Sequence, residues 1–498
     1  MRGFGRGRLR LSRAGGQMPG KKTTREARMG GFTRRGMIAA GGAALAAGPA
    51  IPGVAWAQKR KLSANDRVNI AVIGAGGQGA SNMAQLTGEN IVAACDVDFD
   101  RVNRQMLDKH FRPNPLRVPL QAAYDKATRY SDYRRMFDAQ KDIDAVVIAT
   151  PDHHHAVAAR MAMERGLHVY VQKPLTYTVE EGRKLLALAK ANPGLVTQMG
   201  NQGHSGDDGR RVVELIRGGV IGKVSEVHVW TNRPVWPQGV PRPAAVSTPD
   251  GMDWGSWLGP ANVDWGYHPD YAHFNWRGWI PFGCGALGDM GAHLIDFPFW
   301  ALEPGLPTRV ETRNSKWAGN ASLWDVKRPA ELTSFPLACI THYEFGKAKG
   351  GPLRMTWYDG GLLPPTPKGF PANVPISGDG GVLFIGTKGM LLHETYGEKP
   401  VLIGEGLEER ARKIGQSLPR IKGGLRGHEQ NWVRAIRGEE AISCPFDYAV
   451  PLNETMILGI VALKAGTPIE YDGATGRVTN NADANQYLGR TYRKGWEL

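Results

Sequence analysis

Residues Val68–Leu86 read VNIAVIGAGGQGASNMAQL. The run Val68–Ile73 is apolar and β-branched, as expected for a parallel strand buried on both faces. Gly74-Ala75-Gly76-Gly77-Gln78-Gly79 follows, and a helical pattern begins at once. Glycines at these positions permit a tight turn and let backbone N–H groups approach a pyrophosphate, while the helix N-terminus adds positive potential. The next apolar run, IVAACDVD at 91–98, carries Asp96, about 20 residues beyond the loop, where an acid would bind ribose hydroxyls. Strand, loop, helix, strand and acid in register predict a dinucleotide-binding unit. Asp96 favours NAD over NADP, whose 2′-phosphate it would repel; NADP is the alternative cofactor.

The alternation continues. Asp144–Ala149 predicts a strand, followed by Thr150-Pro151-Asp152 and a helix through Arg165. Leu167–Val171 and Leu195–Gln198 predict strands, with a helix over Glu180–Lys190 between them. Such a pattern implies an α/β fold with a parallel sheet covered on both faces, a Rossmann domain over 67–200. Ligands then bind beyond the carboxyl ends of the strands. That places Gly74–Gly79, Asp96, Thr150–His155 and Gln172–Pro174 around one crevice. After residue 200 the texture changes. Lys223–Thr231, Leu337–Phe345, Leu353–Tyr358 and Gly381–Phe384 read as strands of a mainly antiparallel sheet, and helices return at His428–Arg437 and Val450–Lys464. Residues 201–498 read as a second, C-terminal α+β domain.

The N-terminus carries a different message. Arg34 and Arg35 precede the mildly apolar, Gly/Ala-rich run Met37–Ala50, and Ala55-Trp56-Ala57 is a small-x-small cleavage pattern. Residues 1–57 resemble a twin-arginine (Tat) signal peptide, with a linker at 58–66; Met18 and Met29 are alternative starts. The segment 1–57 holds 11 of the 62 Lys and Arg but one of the 47 Asp and Glu, leaving 51 basic and 46 acidic residues beyond it. The strongly basic balance therefore belongs to targeting and gives no support for a nucleic-acid partner. The apolar run is too short and glycine-rich for a membrane span. The reading is export through the Tat machinery to the periplasm, with no membrane span in the mature chain. The four cysteines, Cys95, Cys284, Cys339 and Cys444, have no metal-site or CxxC spacing, and are expected as buried thiols.

The motif order GAGGQG, TPDHHH, QKPLT and GALGDMGAHLID resembles the Gfo/Idh/MocA oxidoreductase family over nearly all of the chain beyond the signal. The resemblance implies an N-terminal Rossmann domain, a C-terminal domain with a large open sheet, and a homo-oligomer (dimer or tetramer). It assigns Gly74, Gly76, Gly77, Gln78, Gly79, Asp96, Thr150, Pro151, His155, Gln172, Lys173 and Pro174 to the cofactor. Lys173 matches the family lysine beside the nicotinamide and the reacting hydroxyl. Gln172 departs from the usual Glu, and Pro174 fits a rigid, cis turn. Asp289 and His293 match the family's Asp-x-x-x-His pair. Four residues apart on a helix, they share a face. His293 is expected as the base or acid, since imidazole suits that task near neutral pH, with Asp289 binding substrate and Asp296, one turn on, structural.

The run His153-His154-His155 does not read as a metal site, because consecutive residues leaving a strand diverge and no spaced Cys or carboxylate accompanies them. Trp254, Trp257, Trp265, Tyr267, Trp276 and Trp279 crowd one region with Arg277. Aromatic faces suit sugar rings, although most such residues serve as core. Trp276, Arg277, Asn201, Gln202 and His204 are the expected substrate contacts. The functional expectation is a tightly held NAD and hydride transfer from a sugar, glycoside or cyclitol hydroxyl. The alternatives are a redox-neutral glycosidase or lyase acting through a 3-keto intermediate, and a sugar-binding scaffold without catalysis.

Overall fold

The computed structural model describes residues 63, 65–107, 117–315, 332–346, 348 and 350–498. The signal at 1–57 and most of the linker lie outside the described residues.

The first sheet is built from β1 (Asn69–Ile73), β2 (Asn90–Cys95), β3 (Thr128–Tyr130), β4 (Ala145–Ile148), β5 (His168–Gln172) and β6 (Thr197–Gly200). Their order is β3-β2-β1-β4-β5-β6, and every pair is parallel. Side chains alternate along each strand. Ala71, Ile73, Val146, Ile148, Val169 and Val171 pack on one face, while Ile70, Val72, Ile91, Ala145 and Val147 pack on the other. Burial on both faces explains the unbroken apolar runs. The strand order reverses between β1 and β4, which opens a crevice at their carboxyl ends.

The 67–200 segment does not close its own core. Trp432 and Val433, fully buried on the helix His428–Ile436, belong to the same apolar cluster as Ile70, Val72 and Tyr170. The Trp432 indole N–H also donates to the carbonyl of Val196 (3.4 Å). A helix from the far end of the chain thus completes the Rossmann layer.

The second sheet has nine strands: β7 (Val224–Thr231), β8 (Arg309–Asn314), β9 (Cys339–Phe345), β10 (Leu353–Tyr358), β11 (Gly380–Gly386), β12 (Gly389–His393), β13 (Val401–Ile403), β14 (Ile469–Asp472) and β15 (Arg477–Val478). The order is β13-β12-β11-β7-β10-β9-β8-β14-β15. β7 and β10 pair in parallel and the other pairs are antiparallel. Among the described residues one helix, Phe446–Ala465, is long and apolar enough to cross a membrane, but 83% of its apolar window is buried inside the protein. Its Leu452, Met456, Ile457 and Val461 join the cluster that contains Leu185 and Tyr343. It is a core helix, packed between the helix Val179–Ala191 and the second sheet. All four cysteines are buried thiols.

The long connection between β7 and β8 carries the tryptophan-rich stretch. Trp257, Trp265, Tyr271, Trp279 and Phe282 form a separate apolar cluster, so most of these aromatics are core. Trp432→Ala is expected to cost about 3–5 kcal/mol, measured by chemical denaturation of the chain without signal. A cost below about 1 kcal/mol would show that the Rossmann layer does not depend on the distal helix.

Candidate functional site

The crevice at the β1–β4 reversal opens into a cavity of about 780 Å³. Its floor is the glycine loop. Gly74 has φ +79°, and a Cβ there would lie 2.6 Å from the carbonyl oxygen of Ala149. At Gly79 a Cβ would lie 1.8 Å from the Gly74 oxygen. These two positions therefore admit only glycine, and Gly79 acts by close packing rather than by lining the cavity. Gly74, Gly76, Gly77 and Gln78 do line it, with Asp96, Thr150, Pro151, Gln172 and Lys173.

Asp96 ends beside the loop and accepts from the backbone N–H groups of Gly76 (3.0 Å) and Asp98 (3.1 Å). Burial pushes its carboxyl up, and these two N–H groups pull the other way. The Gly77 N–H donates to Gln105 Oε1 (2.8 Å). A left-handed glycine turn, a helix N-terminus and an acid at the end of β2 fit a dinucleotide in chemistry as well as in shape.

At the other end of the cavity stands Asp289, on the helix Gly285–Leu294. Lys173 Nζ donates to its Oδ1 (2.8 Å) and to its backbone carbonyl (2.6 Å). Arg277 Nε donates to the same Oδ1 (3.1 Å), and Arg233 Nε lies 3.8 Å from Oδ2. Burial disfavours the Asp289 charge, yet Lys173 and Arg277 together hold the carboxyl well below the usual range. The Lys173–Pro174 peptide is cis.

His293 lies one turn from Asp289, lines the cavity and is 5% exposed. Its Nδ1 is 3.2 Å from Asn201 Oδ1, and the Tyr396 ring meets it edge-on at 5.0 Å. Burial, then the charge of Lys173, press the imidazole down to about 3. This corrects the expectation of a histidine titrating near neutral pH: the ring is neutral throughout that range.

Other expected contacts fall elsewhere. His155 is buried, with Nδ1 2.7 Å from the carbonyl oxygen of Pro174 and Nε2 2.9 Å from that of Thr150. It braces two cavity loops without reaching the cavity. His154, its neighbour, lines the wall instead. His153 and His154 lie 3.1 and 2.8 Å from the carbonyl of Trp257. Among the described residues no His/Cys/Asp/Glu cluster is arranged to hold a metal. His204 packs away from the cavity, stacked on Trp300 at 3.7 Å and paired with Asp296 at 3.0 Å. Asn201 is fully buried and reaches the site only through His293. Trp276, Arg277 and Gln202 line the cavity.

Gln172 proves to be one end of a buried network. Its Nε2 donates to Asn82 Oδ1 (3.0 Å), and Asn82 Nδ2 donates to Glu429 Oε1 (2.7 Å). The Tyr170 hydroxyl donates to the same oxygen (3.4 Å). Glu429, 4% exposed, also lines the cavity. A carboxyl group is thus present near position 172, supplied by the helix that completes the Rossmann core. Burial pushes its pKa up.

Fold and cavity define a dinucleotide-binding α/β protein with a polar reaction centre at one end. Residues 68–199 match the NAD-binding Rossmann domain of the oxidoreductase family, and residues 211–321 match that family's C-terminal α/β domain. The chain belongs to the Gfo/Idh/MocA oxidoreductase family. A glycosyl hydrolase family 109 protein from Solibacter usitatus is 32% identical over 168 residues, which is 32% of this chain and 36% of that relative's length. Two solved structures share the fold. The WlbA dehydrogenase from Bordetella pertussis, in complex with NADH and UDP-GlcNAcA, has a TM-score of 0.55 at 16% identity, covering 82% of this chain and 99% of that one. The myo-inositol 2-dehydrogenase from Lactobacillus plantarum has a TM-score of 0.50 at 16% identity, covering 82% and 100%.

Asp152 yields a test of the site's electrostatics. Its Oδ2 accepts from the Cys284 N–H (2.9 Å), and its Oδ1 has no partner. Burial pushes the carboxyl from 3.8 up to about 7, against the pull of Arg277 and Lys173. Between those values the folded chain holds a proton that the unfolded chain releases, so stability falls as pH rises through this window and levels off above it. Asp152→Asn should remove that slope. Relative to wild type, the variant should gain roughly 1.4 kcal/mol per pH unit between pH 4 and 7, read from denaturation curves; parallel slopes would refute the buried, protonated carboxyl.

Proposed function

We propose that this protein is an exported NAD-dependent oxidoreductase that oxidises a hydroxyl-bearing carbon of a sugar, glycoside or cyclitol. The observation that carries this is the convergence of Lys173, Asp289 and His293 at the end of the cavity opposite the glycine loop. The loop at Gly74–Gly79 and Asp96 would hold the dinucleotide, which supplies a hydride acceptor when bound. Oxidation of a carbinol removes a hydride from carbon and a proton from oxygen. With Nδ1–H donated to Asn201, the Nε2 lone pair of His293 is free to take that proton. A ring held at about 3 is a weak base, so the transfer relies on Lys173 donating to the same oxygen and stabilising the charge that develops there. Asp289 orients Lys173 and accepts from a neighbouring sugar hydroxyl.

A second reading is a glycosidase that runs the same step in both directions. A ketone formed at C3 acidifies the adjacent C–H, the aglycone leaves by elimination, water adds, and the hydride returns. The matched relative named as a glycosyl hydrolase family 109 protein supports this alternative. Both readings suit an exported enzyme: the glycosidase returns the hydride to its own intermediate, and the oxidoreductase passes it from the reduced nucleotide to a second, reducible substrate. Nucleotide recycled in place need not be replaced from a compartment where it is scarce. The twin-arginine pattern at Arg34-Arg35 supports folding around the cofactor before export.

Three measurements test this. The mature protein from the export compartment should begin at Gln58 and release near-stoichiometric NAD on denaturation; an empty site that rebinds neither NAD nor NADP refutes it. Lys173→Met and His293→Ala should each lower kcat/KM by at least about 100-fold while nucleotide is retained, and normal turnover in both would refute their roles. Aglycone release without net NADH selects the glycosidase, and NADH formation selects net oxidation.

A further inference from the structure

The charge around Asp289 does not balance. Lys173, Arg277 and Arg233 bring three positive groups to 2.8, 3.1 and 3.8 Å from its carboxylate. The other titratable groups here offset the surplus only in part. His293 is neutral, and Asp152 is half-protonated at neutral pH because burial holds it at about 7. Glu429, further along the lining, is hydrogen-bonded to Asn82, and burial pushes its carboxyl towards the neutral form; Tyr396 and Trp276 add no charge.

Arg277 is also pre-oriented. Its guanidinium stands 4.2 Å from the centroid of the Trp276 ring and 4.6 Å from that of Phe274. Nε is engaged by Asp289 and Nη1 by the carbonyl of Phe274 (2.9 Å). Nη2 has no hydrogen-bond partner among the described residues. Arg233 uses Nη1 on Asn232 (2.5 Å) and only leans towards Asp289, so its Nη2 too is without a partner there. A neutral sugar needs no such excess. Two guanidiniums fixed beside one carboxylate present forked donors of the kind that match a carboxylate or phosphate. In a partly desolvated cavity an unmatched positive surplus is costly, and an oxidised nicotinamide, itself cationic, would enlarge it.

We propose that the substrate is an anionic sugar, with its carboxylate or phosphate held between Arg233 and Arg277 while the reacting hydroxyl lies at Lys173 and His293. This rests on the oxidoreductase reading for the identity of the reacting end, but the charge preference is measured separately. The experiment is calorimetric titration of the nucleotide-loaded protein with matched pairs: glucuronate against glucose, galacturonate against galactose, and the two hexose 6-phosphates. In at least one pair the charged member should bind about tenfold more tightly or better. That margin should shrink as sodium chloride rises from about 20 to about 500 mM. Arg233→Gln and Arg277→Gln should each cut it below about threefold, and Arg277→Lys, which keeps the charge and loses the fork, should fall between. A margin confined to uronates assigns a carboxylate; one confined to the phosphates assigns a phosphoryl group. Equal affinities, tighter neutral sugars, no binding by any sugar tested, or a margin unchanged by salt or by both Gln variants overturns the proposal. Should the variants unfold, the salt dependence of the wild type decides. Neutral sugars that are oxidised without any charged preference would sink this inference and leave the oxidoreductase reading intact. A charged preference with no oxidation would do the reverse.

Discussion

The Asp289 carboxylate is the constraint around which the reaction centre is arranged. It is buried on a helix of the C-terminal half, yet its strongest partner, Lys173, follows β5 of the Rossmann sheet. One ion pair therefore sets the position of the lysine against the glycine cradle and ties the two halves across the cavity. A buried charge of this kind survives only with close, hydrogen-bonded partners, which is why Arg277 and Arg233 crowd the same carboxylate. Burial first, then the charges of Lys173 and Arg233, depress the basicity of His293, four residues along.

Much of the dinucleotide half was legible because its signals are local. A strand, a glycine loop and an acid lie within 30 residues of one another, and Gly74 and Gly79 answer to steric demands that only glycine meets. The short edge strand Thr128–Tyr130 was not legible: two exposed polar residues and one half-buried tyrosine leave no apolar pattern. The Asp289–His293 pair was readable from spacing on a helix. Arg233 was not, because it follows β7 in a proline-rich loop and joins the site through tertiary packing alone.

The same distinction explains the misplaced histidines. His155 and His204 sit beside motifs that carry chemistry, and proximity in sequence put them in the site. Their hydrogen bonds put them in the frame: His155 on the carbonyls of Thr150 and Pro174, His204 on Asp296. Glu429 shows the converse. Nothing around it in the sequence marks it as part of a nucleotide cleft. It enters through Asn82, which anchors it to the helix that follows the glycine loop.

The helix His428–Ile436 also sets a timetable for synthesis. A ribosome makes the parallel sheet first, but Trp432 and Val433, which cover one face of it, emerge only after strands β7 to β13 of the second sheet. Until then the nascent Rossmann layer has an open apolar flank, and the cleft lacks Glu429. Completion of the nucleotide site therefore waits on the second domain: the chain must extend to residue 433 before its first domain is closed.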